Sequence, residues 1–208
     1  MSDARIAKPA VLVLWPNRPK AMAELEAAYR LIHLWRADDP ETLIENESAE
    51  IRGVVTSGER GLSAAMVDRL PRLEMVACFG VGYDGIDVEA CRARGIRVSN
   101  TPDVLSRDVA DLGMGLMLAT LRRMAEADRY VRAGSWQFQG PMSLGTSLAG
   151  KKLGILGLGR IGMELAKRAS AADMVLGYHN RAARDGADHL TFFPTLVELA
   201  RWADILAV

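Results

Sequence analysis

The first residues able to do chemistry are in KLGILGLGRIG, residues 152–162. A short apolar strand (Leu153, Ile155, Leu156) runs into Gly157, Leu158, Gly159, Arg160, Ile161 and Gly162, and Met163 to Ala172 then reads as a helix. In that setting each glycine has a task. Gly157 permits a tight turn, Gly159 lets the backbone approach a pyrophosphate, and Gly162 allows close helix–strand packing. The free N–H groups and the dipole at the helix start then face the phosphates. A glycine-rich turn without a ligand is the competing reading; the order of strand, fingerprint and helix favours dinucleotide binding.

About 20 residues on, at the end of the second strand, an NAD site places Asp or Glu to hydrogen-bond the ribose 2′-OH. Here there is no acid between Asp173 and Asp185; Asn180 and Arg181 stand there instead, with Arg184 one turn on. A carboxylate would repel a 2′-phosphate, whereas a guanidinium binds one through two hydrogen bonds. The reading is NADP(H) preferred, with NAD(H) as a possible cofactor; a solvated basic turn is the alternative.

Two further loops have the makings of an anion site. Thr56-Ser57-Gly58 and Gly80-Val81-Gly82 each follow an apolar run and offer backbone N–H groups and hydroxyls to an anion such as a carboxylate. Tight turns needing positive φ explain them equally well. His33 in a strand, His189 in a loop and His179 at the ribose end of the cofactor strand read as structural or solvated. Cys78 and Cys91 have neither metal-ligand spacing nor a disulfide framework, so both read as reduced and structural, and no metal site is expected.

These residues need a scaffold, and the hydrophobic pattern supplies one. Strands read at Ala10 to Leu14, Leu31 to Leu34, Ile51 to Val55, Glu74 to Phe79 and Ile96 to Ser99, the first closed by Trp15-Pro16. Between them lie helices at Lys20 to Arg30, Glu41 to Glu50 (weak), Gly61 to Leu70 and Asp87 to Arg94. Strands alternating with helices over short turns imply a doubly wound parallel sheet. Asn100-Thr101-Pro102-Asp103 breaks that pattern, and a helix from Arg107 to about Met124 follows, with Ser106 as its N-cap. That helix is apolar almost all round, which demands burial on every side. It is either a core helix between domains or half of a subunit interface. Ala125 to Ala133 continues as an amphipathic helix closed by Gly134, and Ser135 to Gly150 reads as a loop whose Trp136 and Phe138 anchor a partner or pack back. Met174 to Tyr178, Thr195 to Trp202 and Ala203 to Val208 give a strand, a helix and the start of a strand.

Composition bounds the function classes. Half of the 208 residues are hydrophobic and a quarter charged, as in ordinary soluble globular proteins. Lys+Arg and Asp+Glu are 26 each, so nothing in the overall charge favours nucleic acid or acidic membranes. The start, MSDARIAKPAVLVLW, lacks the pattern of a secretory signal, and no apolar run reaches the roughly 18 residues of a membrane span. The expectation is a cytoplasmic protein. A dinucleotide fold needs two βαβαβ halves; only the first is legible, so the sequence is expected to be a fragment or a shortened copy.

From residue 79 to 118, FGVGYDGIDVEACRARGIRVSNTPDVLSRDVADLGMGLML resembles the D-isomer-specific 2-hydroxyacid dehydrogenases, and RRMAEADRYVRAGSW followed by LAGKKLGILGLGRIG continues the resemblance. The similarity is greatest to the branch with glyoxylate and hydroxypyruvate reductases, and looser before Thr56. It implies an α/β architecture: a flavodoxin-like substrate domain, residues 1–100, then residues 101–208 with a hinge at Pro102, a dimerisation helix and the first half of a Rossmann-type nucleotide domain. By resemblance, Val81 and Gly82, with Ser57 nearby, hold the carboxylate of a small 2-oxo or 2-hydroxy acid. Val104 lies near the nicotinamide, and Leu158 to Ile161 run along the pyrophosphate. The 106–124 helix and the Trp136 arm form a homodimer interface. The family's reaction is hydride transfer between a nicotinamide and the carbon bearing the 2-oxo group. Its arginine, glutamate and histidine belong to the C-terminal part, so no catalytic residue is identified here. Two other readings stand: a non-catalytic dinucleotide-binding, dimerising module, since the family includes corepressors, and an NAD-linked dehydrogenase.

Overall fold

The computed structural model describes residues 8–208; residues 1–7, part of the stretch read as lacking a secretory signal, lie outside the described residues. The chain divides into two compact units at the Pro102–Asp103 bond.

The first unit holds strands β1 (Ala10–Val13), β2 (Arg30–His33), β3 (Ile51–Ser57), β4 (Met75–Phe79) and β5 (Arg97–Ser99), and helices α1 (Pro19–Ala28), α2 (Pro40–Glu47), α3 (Ala64–Arg69) and α4 (Val88–Ala93). Every strand pair is parallel, in the order β2-β1-β3-β4-β5, which is the flavodoxin order. All four residues of β1 are buried, as a strand with neighbours on both sides and helices on both faces requires. Alternation divides the core: Leu12, Val54, Val76 and Cys78 pack on one face with Val67 and Cys91 from the helices. Val11, Val13 and Val55 face the other way, toward Met22 and Leu25 of α1. Local chemistry starts the helices. Asp39 accepts from the N–H groups of Glu41 and Thr42, Ser63 from Met66 and Asp87 from Ala90, each satisfying a donor with no intrahelical partner.

The second unit contains α5 (Ser106–Leu121), α6 (Met124–Arg132), α7 (Ser135–Gln139), β6 (Lys152–Leu156), α8 (Arg160–Ala171), β7 (Val175–His179), β8 (Thr191–Phe192), α9 (Leu196–Trp202) and β9 (Ile205–Ala207). Its sheet is parallel in the order β8-β7-β6-β9. The chain thus leaves β6 in one direction through β7 and β8, then crosses back to set β9 on the other side. This is the Rossmann arrangement, and the reversal beside β6 makes a crevice at the strands' carboxyl ends. Leu153, Ile155, Leu158, Leu165, Ala169 and Tyr178 form its core with Ala110 and Met117 of α5.

The structure departs from the sequence readings at several points. Ser106 does not cap α5: Leu105 is the N-cap and no side chain bonds the helix start, because Ser106 already has helical backbone and its hydroxyl cannot reach forward. The stretch 135–150 is not all loop, since α7 forms between Gly134 and Gly140, both at positive φ. α8 begins at Arg160 rather than Met163, so Arg160, Ile161 and Gly162 form its first turn. The two-residue β8 was not read, being too short for periodicity to register. Nor is α5 covered on every side within its own unit: Ala110 and Met117 are buried, whereas Leu112 and Leu116 are 61% and 59% exposed.

Candidate functional site

The glycine loop is shaped by close approach. Gly157 sits at φ +92°, and a Cβ on Gly162 would lie 2.4 Å from the Gly157 carbonyl oxygen, so the helix seats on the loop only without one. At Gly159, by contrast, nothing lies within 4 Å of where a Cβ would project, which leaves the backbone open to a ligand. Gly159 is the N-cap of α8 and brings no side-chain bond, so the first N–H groups of the helix lack intrahelical partners. An anion is the natural partner for such a set. These residues fit a pyrophosphate.

Leu158 behaves differently from its neighbours. Its side chain is fully buried, its N–H donates to Asn180 Oδ1 (2.7 Å), and its carbonyl accepts from Arg184 Nη1 (2.9 Å). The Arg184 N–H donates in turn to the Tyr178 hydroxyl (3.0 Å), and the Gly157 N–H to the His179 carbonyl (2.9 Å). The turn after β7 therefore grips the glycine loop through the two peptide groups that flank Leu158. Asn180 and Arg184 are brought to Gly157–Gly162 by this grip, and the Leu158 N–H is already used, which confines the open donors to residue 159 onward. Arg181 lies in the same turn, exposed and without a side-chain hydrogen bond or ion pair among the described residues. Arg160 pairs with Asp103 (2.8 Å), a non-glycine residue at φ +66°. Next to it Val104 is 69% exposed.

In the first unit, Ser57 ends β3 and the 80–82 turn follows β4, and the two turns interlock. A Cβ on Gly58 would lie 2.3 Å from the Gly82 carbonyl oxygen, so only glycine lets them touch. Asn100 Nδ2 donates to the Val81 carbonyl (2.8 Å) and Cys78 Sγ to that of Gly82 (3.4 Å). Burial pushes the Cys78 thiol up, which keeps it a protonated donor. With both carbonyls held from behind, the Val81 and Gly82 N–H groups have no partner among the described residues. Ser57 Oγ accepts from the Arg60 N–H (3.3 Å), leaving its own proton free to donate. The arrangement leaves two N–H donors and one hydroxyl without acceptors among the described residues, the kind of donor set that suits an anion.

Sequence reasoning passed over one group here. Trp15, Asn17, Arg18 and Phe79 join Ser57 around a cavity of about 400 Å³. Trp15 was read only as a strand stop; its place just after β1, at the carboxyl edge of the sheet, was the available signal. The histidines lie elsewhere: His33 stacks edge-on against Trp35, His179 Nδ1 is 2.8 Å from the Phe193 carbonyl oxygen, and His189 is exposed.

Each parallel α/β unit thus presents unpartnered backbone donors beyond the carboxyl ends of its strands, the second at its glycine loop and the first at the Ser57 and 80–82 turns. The sequence profile of the D-isomer specific 2-hydroxyacid dehydrogenase catalytic domain matches residues 11–195, and the chain belongs to that family. It is 44% identical over 198 residues to glyoxylate/hydroxypyruvate reductase A of Arabidopsis thaliana, covering 95% of this chain and 63% of that protein. To the hydroxyphenylpyruvate reductase of Plectranthus scutellarioides it is 42% identical with the same coverage. Among solved structures, a 2-hydroxyacid dehydrogenase from Ketogulonicigenium vulgare superposes with a TM-score of 0.91 at 42% identity, over 97% of this chain and 63% of that one. An NADPH-dependent glyoxylate/hydroxypyruvate reductase from Sinorhizobium meliloti, in complex with NADP and malonate, gives 0.87 at 40% identity, over 96% and 61%. The chain thus spans somewhat less than two thirds of these relatives.

Proposed function

We propose that this chain serves in an NADPH-dependent reductase of small 2-oxo acids of the glyoxylate and hydroxypyruvate type, acting as a homodimer in the cytoplasm. The observation that carries the cofactor choice is the turn after β7, where Asn180 and Arg181 stand with no carboxylate between Asp173 and Asp185, fastened to the glycine loop. When bound, the nicotinamide supplies the hydride. The chain's own groups hold the reactants. The N–H groups from Gly159 to Gly162 receive the pyrophosphate, with the Leu158 peptide setting their position. Arg181 reads the 2′-phosphate, flanked by Asn180 and Arg184, and Val104 borders the nicotinamide. The Val81 and Gly82 N–H groups and the Ser57 hydroxyl hold the substrate carboxylate, which fixes the 2-oxo carbon relative to them. The exposed apolar face of α5, with Leu112 and Leu116, and the Trp136 arm meet a second copy. Support comes from the relatives: the Sinorhizobium meliloti enzyme is NADPH-dependent and was solved with NADP.

The test compares NADPH and NADH binding to wild type and Arg181→Asp, followed by NADPH oxidation with glyoxylate and hydroxypyruvate. A charge-assisted contact is worth roughly 1.5–3 kcal/mol, so the variant should lose about 10- to 100-fold in NADPH affinity and little for NADH. Equal losses for both refute the cofactor assignment. Turnover is measured on a protein that carries this chain together with the family's C-terminal part; binding without turnover there leaves the non-catalytic dinucleotide module as the better reading.

A further inference from the structure

We propose that the cavity beside Ser57 receives the far end of 2-oxo acids longer than hydroxypyruvate and, among these longer acids, favours those that carry a second anionic group. This rests on the reading of Val81, Gly82 and Ser57 as the carboxylate nest, and extends it to the rest of the substrate molecule. The cavity and the nest share Ser57, and the Gly58–Gly82 contact keeps the two turns in touch. Its volume, about 400 Å³, is that of roughly a dozen waters at about 30 Å³ each, far more than a two-carbon acid needs.

The walls say what would fill it. Trp15 and Phe79 are 49% and 46% exposed, and Val55 shares the lining with them. Each ring is covered by a cation: the Arg60 guanidinium sits 4.0 Å from the Trp15 ring centroid, and that of Arg18 is 5.8 Å from Phe79. A guanidinium stacked by its face keeps its in-plane N–H donors for oxygen ligands. Neither arginine is paired with a carboxylate among the described residues. One unpaired guanidinium, that of Arg18, thus lines a slot that shares Ser57 with the proposed carboxylate site, and a second, that of Arg60, lies over the slot's Trp15 wall. That layout suits a molecule with a carboxylate at one end, an apolar middle and a carboxylate or phosphate at the other.

The experiment titrates the ¹⁵N-labelled 208-residue chain with 2-oxoglutarate and with 2-oxohexanoate, which has the same reach without the distal charge. Both should shift the Val81 and Gly82 amides. Only 2-oxoglutarate should shift the Arg18 and Arg60 Nε–H signals, and it should bind at least about tenfold tighter, the worth of one charge-assisted contact. The double variant Arg18→Met, Arg60→Met should erase that advantage while leaving 2-oxohexanoate binding unchanged, which also reports that the unit is folded. Equal affinities, or arginine signals that stay still while Val81 and Gly82 move, overturn this proposal alone. Arginine shifts without Val81 and Gly82 overturn both this proposal and the carboxylate reading beneath it, as does silence at all four residues.

Discussion

Leu158 matters for its peptide more than for its side chain. Asn180 and Arg184 hold the two peptide groups that flank it, so Arg184 acts through the shape of the loop, whereas Arg181 in the same turn has no side-chain partner among the described residues. Arg184→Met should therefore weaken NADPH and NADH by a similar factor, about three- to tenfold for one lost hydrogen bond, and Arg181→Met should weaken NADPH alone. Titration by reduced-nicotinamide fluorescence separates the two outcomes. Gly162→Ala forces a methyl against the Gly157 carbonyl and should lower stability by roughly 1–3 kcal/mol, measured as a fall in the urea midpoint. Much of this site was legible beforehand, because glycine spacing after a strand has a mechanical meaning. The grip of Asn180 on Leu158 was not, since it depends on two turns 22 residues apart meeting in space. Trp15 and Arg60 escaped notice for the same reason: a ring and a cation 45 positions apart signal nothing until the sheet brings them together.

Among the elements, α5 and α8 are joined by charge as well as by apolar packing. Arg168 of α8 bonds Asp111 of α5 and Glu164 one turn back, and Glu164 also takes Lys167. The Lys167 ammonium, then the Arg168 guanidinium, hold the Glu164 carboxyl down at about 2, against 4.5 for the free group. A depressed folded-state value stabilises the protein above the unfolded value, and the contribution drains away as pH falls from about 4.5 toward 2. Urea midpoints should consequently drop between pH 5 and pH 2.5, and Glu164→Gln should flatten part of that drop while changing little below it. An unaltered pH profile in the variant would remove Glu164 from the account. At this scale the sequence was a good guide. Apolar runs such as Ala10 to Leu14 and Leu153 to Leu156 announced central strands, and the helix read over Thr195 to Trp202 is α9, which the structure starts with a capping box between Thr195 and Glu198. It failed where local rules compete: Ser106 had the right chemistry for a cap, but the left-handed Asp103 delivers the chain to α5 one residue early.

For the whole molecule, each unit is built around its own core, and the second carries an apolar helix face that its own residues leave open. If that face meets a second copy, Leu112→Glu with Leu116→Glu should give monomers in sedimentation velocity at concentrations where wild type is dimeric, with the far-ultraviolet circular dichroism unchanged. Monomeric wild type would refute the homodimer. The alternation of strands and helices gave away both sheets, whereas the exposure of that helix face could be known only once α8 was seen to cover the opposite side. The Leu158 clamp also has a consequence for heredity. All that Asn180 supplies to it is an amide oxygen. Aspartate offers the same acceptor, and one base change turns an asparagine codon into an aspartate codon. Such a mutant would keep its loop while setting a negative charge beside Arg181, against a 2′-phosphate. If the proposed NADPH assignment holds, a single base change therefore separates this chain from one that favours the catabolic reductant of the cell, with the Leu158 bond kept.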